Sequence, residues 1–256
     1  MIFDTHAHYD DSRFDEDREA VLTSLSCHNV SRVVNVAADM ESVRTTLALA
    51  DKYDFIYAAI GVHPDGIAEM TETDIETLRA LSAHEKVVAV GECGLDYYGR
   101  EIPRETQIHW FSRQLALAKE CDLPVIIHSR DAAEDTYETV KRFYTGDGAG
   151  IIHCFSYGKE MARQFLDLGY YIALGGVVTF KNSKKAKEVA AYVPEDRLLI
   201  ETDCPYLAPV PKRGTRNDSG NLGYVLDTMA ELRGVSRKHI ERATYENACR
   251  LYRLKV

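Results

Sequence analysis

Short runs of β-branched and apolar residues alternate with longer amphipathic stretches, and the alternation repeats about eight times along the chain. The short runs, at 2–5, 32–37, 55–60, 86–91, 123–127, 150–152, 170–174 and 197–202, read as strands. The longer stretches read as helices over 16–28, 42–53, 72–83, 104–120, 132–144, 159–168 and 183–192, the last stopped by Pro194. Two more helices, 223–233 and 236–254, follow the eighth strand. Repeated strand-then-helix units imply parallel strands with right-handed crossovers. Eight units in 256 residues fit a closed barrel better than an open doubly wound sheet, and no G-x-G-x-x-G follows the first strand. The expected fold is therefore α/β: a single-domain, distorted TIM-type (β/α)8 barrel over 1–256, closed by C-terminal helices.

Composition narrows the class. With 45% hydrophobic and 28% charged residues the chain can bury a large core. It contains no run of about 18 apolar residues, so no membrane-spanning helix is expected. The first residues lack a basic stretch followed by an apolar one, and removal of a leader would delete His6 and His8; a cytoplasmic protein is expected. The six cysteines show no C-x-x-C spacing, which argues for free thiols rather than a zinc ribbon or redox pair. A net charge of −9 argues against broad non-specific nucleic-acid binding but leaves room for a local basic patch.

The candidate chemistry sits at the strand ends. His6 and His8 end the first strand one residue apart, so strand alternation points both the same way. Glu92 follows strand four, His128 strand five, His153 strand six and Asp203 strand eight. In a parallel barrel all strand C-termini open on one face, so these six residues converge. Nitrogen and carboxylate oxygen are the donors of a hydrolytic metal site, and six donors exceed one tetrahedral ion. Two divalent ions (Mg²⁺, Mn²⁺ or Zn²⁺) are expected. His6, His8, Glu92 and Asp203 would surround the first, Glu92, His128 and His153 the second, with Glu92 or a water shared. The carboxylates cancel part of the ionic charge, and the positive remainder favours an anionic substrate.

Glu201 shares the face of Asp203 one step deeper and is expected to orient a ligand. Cys93, Cys154 and Cys204 each follow a candidate ligand and point the other way, so packing rather than coordination is expected of them. His63, Arg130, Tyr206, Arg213, Arg216 and Asn217 are the candidate substrate contacts, arginine offering a planar fork that matches phosphate oxygens. Lys181, Lys184, Lys185 and Lys187 form either a solvated helix face or a backbone-tracking patch. Tyr97, Tyr98 and Tyr157 stand near strand exits, as bases' stacking partners or as lids.

At these residues the chain resembles the TatD family of metal-dependent deoxyribonucleases. The resemblance rests on Asp4-Thr5-His6-Ala7-His8, Gly61-Val62-His63-Pro64, Gly91-Glu92-Cys93-Gly94-Leu95-Asp96-Tyr97-Tyr98, Ile127-His128-Ser129-Arg130, His153-Cys154-Phe155-Ser156 and Glu201-Thr202-Asp203-Cys204-Pro205-Tyr206-Leu207-Ala208-Pro209, and ends with Asn247-Ala248. It implies a TIM-type barrel, a divalent-metal centre on the six residues, and hydrolysis of DNA phosphodiesters, often from the 3′ end of single strands. His63 resembles the family's substrate-contacting histidine. The chain departs from the family's Arg-Asn-Glu-Pro in the loop after strand eight, reading Arg216-Asn217-Asp218-Ser219.

The expected mechanism is attack of an activated water on phosphorus, with Asp203 accepting its proton and Glu92 bridging the ions. Single-stranded DNA is the expected partner, with no membrane and no obligate protein partner. Hydrolysis of a small amide, lactone or ester is the rival activity on the same scaffold, and a non-catalytic metal-loaded binding module is the third reading.

Overall fold

The computed structural model describes residues 1–99 and 102–256. Its strands are β1 (Ile2–Ala7), β2 (Val30–Val36), β3 (Ile56–Ile60), β4 (Val87–Asp96), β5 (Val125–Arg130), β6 (Gly150–Ile152), β7 (Tyr171–Leu174) and β8 (Leu198–Ile200). They pair in parallel and in sequence order within one sheet. The two edges meet where His8 N donates to Cys204 O at 2.8 Å and Asp203 N donates to His6 O at 3.0 Å, so the barrel is nearly closed.

One helix follows each of the first seven strands: α1 (Arg18–Ser24), α2 (Met40–Lys52), α3 (Glu72–Leu81), α4 (Arg104–Glu120), α5 (Ala133–Phe143), α6 (Lys159–Asp167) and α7 (Lys184–Tyr192). Then α8 (Leu222–Arg233) and α9 (Arg237–Leu251) come after β8, as the sequence predicts. The expected long first helix is shorter. Its end becomes a 3₁₀ turn, Leu25–His28, stopped by Asn29 in the left-handed region at φ 63. The fourth strand is longer than expected and runs on to Asp96. Gly94 permits this, since a Cβ there would lie 1.9 Å from His128 O on the neighbouring strand.

Two apolar layers hold the barrel. The outer one packs Val33, Ile60, Val90, Ile127, Ile172 and Ile200 against the helices. The inner one takes side chains from all eight strands: Phe3, Val34, Val36, Ala59, Val88, Ala89, Ile126, Ile151, Tyr171, Ala173 and Leu199. Tyr245, Ala248, Leu251 and Tyr252, from α9 and the residue after it, join this inner layer, with the Tyr252 hydroxyl donating to Thr5 O at 3.1 Å. These apolar layers leave the strand C-termini to carry polar groups.

Strand phase decides which groups those are. In β5, and one residue past the ends of β6 and β8, the residue two places after an inner apolar side chain shares its face: Ile126 precedes His128, Ile151 precedes His153, and Leu199 precedes Glu201; Asp203 follows two places on with a left-handed backbone at φ 55. From the nearest inner side chain the spacing in β1 and β4 is three, Phe3 to His6 and Ala89 to Glu92; Val88 also faces inward because β4 carries a further shift between Val87 and Ala89. Counted from Phe3 and Ala89, regular alternation would send His6 and Glu92 outward. A one-residue bulge corrects each: Asp4 and Ala7 pair with Val33 and Asn35, and Val90 and Cys93 pair with Val125 and Ile127.

Candidate metal centre

The structure brings the six expected ligands together at the C-terminal mouth. His6 Nε2 lies 3.0 Å from His8 Nε2, 3.3 Å from Glu92 Oε2 and 3.7 Å from Asp203 Oδ1. His8 Nε2 is 3.6 Å from the same Glu92 oxygen and 3.5 Å from Asp203 Oδ1. Glu92's other oxygen, Oε1, is 3.0 Å from His128 Nδ1 and 2.8 Å from His153 Nε2, which are 3.3 Å from each other. Donors held about 2.0–2.1 Å from one tetrahedral cation sit about 3.3 Å apart. Both clusters have that spacing, and Glu92 joins them with one oxygen in each.

Neighbouring groups aim these rings. His8 Nδ1 faces Val36 O at 2.7 Å, leaving Nε2 for the centre. His128 Nε2 faces Asp96 Oδ2 at 3.0 Å, leaving Nδ1 free to face Glu92. His153 Nδ1 points to Glu201 Oε1 at 3.4 Å, and Glu201 Oε1 accepts from Cys154 N. Asp4, fully buried behind β1, accepts from Thr202 N at 3.0 Å, from the Thr202 and Ser219 hydroxyls at 2.6 Å each, and from His6 N at 3.3 Å. That network ties β1, which carries His6, to Thr202 and Ser219 in the segment after β8 that also carries Asp203.

The electrostatics suit a cation. Burial works against the charge of Glu92, but His153, His63, His6 and His128 around it outweigh burial and hold its carboxyl well below the ordinary range. Burial likewise opposes a charge on His8, yet Asp203 and Glu92 lift it to about 9, so this pocket favours positive charge. His6 Nδ1, His153 Nδ1 and Glu201 Oε2 are buried without a hydrogen-bond partner among the described residues. The His6 and His8 Nε2 atoms 3.0 Å apart can share one proton, or both lone pairs can face a common cation. The nitrogen and oxygen donor set fits a divalent hydrolytic ion. Three groups among the described residues could hold a metal: His6, His8 and Asp203; His6, His153 and Glu201; and His63, Glu92 and His128.

The surrounding cleft has a volume of about 630 Å³. His63 lines it, with Nε2 3.7 Å from Glu92 Oε1. Burial, aided by the charges of His128, His153 and His8 and opposed by Glu92, pulls His63 down to about 3, so it stays neutral. Arg130 and Tyr206 also line the cleft. The Arg130 guanidinium lies 4.0 Å over the Tyr98 ring, and Arg13 lies 4.0 Å over the Tyr206 ring. Cys154 lines the cleft too, whereas Cys93 and Cys204 are buried.

Other expected contacts lie elsewhere. Arg213 stacks on Phe180 at 4.5 Å. Arg216 makes two bonds of 2.7 Å to Asp17 and one of 2.6 Å to Arg13 O. Asn217 is fully buried, its Nδ2 donating to Thr202 O at 3.0 Å. Tyr97 donates to Asp135 at 2.6 Å, and the Tyr157 hydroxyl meets Ser129 Oγ at 2.9 Å. Two residues were not anticipated as site groups. Asp96 shares the face of Glu92 four places along β4, a spacing readable in the sequence. Arg13 follows a run of carboxylates and carried no such signal.

A barrel with a two-cluster histidine and carboxylate mouth defines the class as metal-dependent hydrolase. A family model described as TatD related DNase matches residues 3–253. The chain belongs to this TatD family. It is 46% identical over 254 residues to the uncharacterized metal-dependent hydrolase YabD of Bacillus subtilis, covering 99% of this chain and 100% of that one. It is 37% identical over 257 residues to the uncharacterized metal-dependent hydrolase YcfH of Escherichia coli, covering 99% and 96%. The crystal structure of YjjV, a TatD homolog from Escherichia coli, superposes with a TM-score of 0.93 at 34% identity, covering 99% and 98%. No helix among the described residues is long and apolar enough to cross a membrane.

Proposed function

We propose that the protein hydrolyses DNA phosphodiester bonds, removing nucleotides from the 3′ end of single strands. The observation that carries this reading is Glu92, whose two oxygens face two separate donor clusters. Bound there, two divalent cations (Mg²⁺, Mn²⁺ or Zn²⁺) supply Lewis acidity to a phosphoryl oxygen and acidify water. His6, His8, Glu92 and Asp203 would hold one, and Glu92, His128 and His153 the other.

The chain's own groups do the rest. Asp203 Oδ1, beside His6 and His8 at the mouth, accepts the proton of the attacking water. Arg130 presents its fork to the phosphate from the opposite strand ends, and Tyr98 beneath it keeps the guanidinium plane in place. Neutral His63 orients a phosphate or deoxyribose oxygen without adding charge. Tyr206, stiffened by Arg13, offers a face for a base.

The test is a panel of end-labelled single-stranded and duplex oligonucleotides run against esters, lactones and small amides, with each metal added to the chelated protein. Stepwise shortening of single strands is the expected result. Turnover confined to the carbonyl substrates overturns the reading, and absence of any turnover leaves the binding-module alternative.

A further inference from the structure

A second cavity, about 370 Å³, adjoins the cleft on its β6–β7 side. Cys154 and Ser156 line both spaces, so one wall separates them. Phe155, Leu174, Val177 and Val178 make the second cavity apolar. Asn182, Ser183, Lys184 and Lys185 also line it, where α7 begins, and both lysines are exposed. Its size is at the lower end of the range for small-ligand sites, about 300–1,000 Å³.

The opposite side of the cleft carries the other sign. Asp10 and Asp11 follow β1, Asp39 follows β2, Asp65 follows β3, and all four line the cleft. Among the described lining residues, Arg130 at the end of β5 is the one lysine or arginine. In an eight-stranded barrel ordered by sequence, β6 and β7 stand across from β2 and β3. Asp11 is paired with Arg13 at 2.7 and 2.9 Å and Asp10 accepts from Asn35 at 2.8 Å, so the first wall is at most weakly acidic, whereas Lys184 and Lys185 give the second wall exposed positive charge that draws a polyanion in spite of the net charge of −9. The exposed lysines thus mark the β6, β7 and α7 side as the side that favours a phosphate backbone.

We propose that the second cavity receives the base of the nucleotide that remains on the DNA, immediately across the scissile phosphate from the released one, while Lys184 and Lys185 hold the following phosphates. The inference rests on the deoxyribonuclease reading of the centre. Phe155, Leu174, Val177 and Val178 offer apolar walls to the face of any base, while Ser156, Asn182 and Ser183 supply the polar groups within the same lining. The subsite thus demands a base.

The experiment uses the full-length, metal-loaded protein and single-stranded oligonucleotides bearing one tetrahydrofuran abasic residue. With the gap at the proposed position, kcat/KM is expected to fall about tenfold, the scale of one missing base-stacking interaction. Val177→Trp fills the cavity and brings the ratio of intact to abasic turnover close to one. A 2-aminopurine at the same position changes fluorescence on binding the wild type and not on binding Val177→Trp, which reads occupancy without turnover. Replacing Lys184 and Lys185 by alanine flattens the salt slope of binding by about 0.7 for each phosphate no longer neutralised. Equal cleavage of abasic and intact strands by the wild type overturns the subsite alone, whether or not the variant folds. Failure of the wild type to cleave either oligonucleotide or bis(p-nitrophenyl) phosphate overturns the deoxyribonuclease reading and the subsite with it.

Discussion

Asp96 Oδ2 stands 3.0 Å from His128 Nε2, on the far side of the ring from Glu92. With a cation in the second cluster, this carboxylate would keep the ring proton on Nε2 and turn the Nδ1 lone pair toward the ion. Asp96→Ala is expected to weaken that cluster's metal affinity by about 10–100-fold. Asp96→Asn, which keeps an oxygen acceptor, recovers much of the loss. Calorimetric titration of the chelated protein measures both, and equal affinity in Asp96→Ala and wild type would remove the aspartate from the metal centre.

The roles proposed for Asp203 and Glu92, proton transfer and metal bridging, are separable by experiment. Asp203 reaches one cluster through Oδ1, whereas Glu92 reaches both. Asp203→Asn is expected to bind metal and lose about 10²–10⁴-fold in turnover, the usual worth of a positioned acid or base. Glu92→Gln is expected to lose one bound ion as well as turnover. Metal analysis of the purified variants beside their rates distinguishes the two, and wild-type turnover in a metal-loaded Asp203→Asn would end its role as proton acceptor.

The sequence made most of the barrel legible because each strand is a compact apolar run and each helix carries its own amphipathic period. Ile126 and His128, and Ile151 and His153, fall in phase by alternation, whereas Asp203 lies beyond the end of β8 with a left-handed backbone at φ 55. His6 and Glu92 are out of phase with Phe3 and Ala89, and reach the centre through bulges that no residue count announces. Their chemistry drew attention to them; their geometry was hidden. The loop after β8 was less legible for a different reason. Its basic composition suggests an exposed phosphate contact, but Arg216 is paired with Asp17 from the other end of the chain, and Asn217 is buried on Thr202 O. Distant partners of that kind leave no mark on local spacing.

Arg130 and Arg216 therefore separate cleanly by experiment. Arg130 lines the cleft and stacks on the Tyr98 ring. Arg130→Ala is expected to weaken single-strand binding and reduce its salt slope by about 0.7. Arg216→Ala is expected to keep the slope and lower the unfolding temperature, because it releases Asp17 and the carbonyl of Arg13. Fluorescence anisotropy at several salt concentrations and a thermal melt give the comparison. A flattened slope in Arg216→Ala would return that residue to the substrate path.

Asp4 gives the protein a pH signature outside the donor set. Burial pushes its carboxyl up from near 3.8 to about 7, although Ser219, Thr202 and His6 all donate to it. Below about pH 4 the group is protonated in both folded and unfolded chains and contributes no slope. Between about pH 4 and 7 the unfolded chain gives up this proton first, so the folded state binds more protons and stability falls as pH rises. Above about pH 7 both states are ionised and the decline stops. Urea unfolding of the chelated protein at several pH values, compared with Asp4→Asn, isolates the group from other titrations. The difference between the two should change by up to about 1.4 kcal/mol per pH unit inside that window and level off above it. A difference constant from pH 4 to 7 would mean that Asp4 ionises in the fold as readily as in the unfolded chain, and that its donors fully offset its burial.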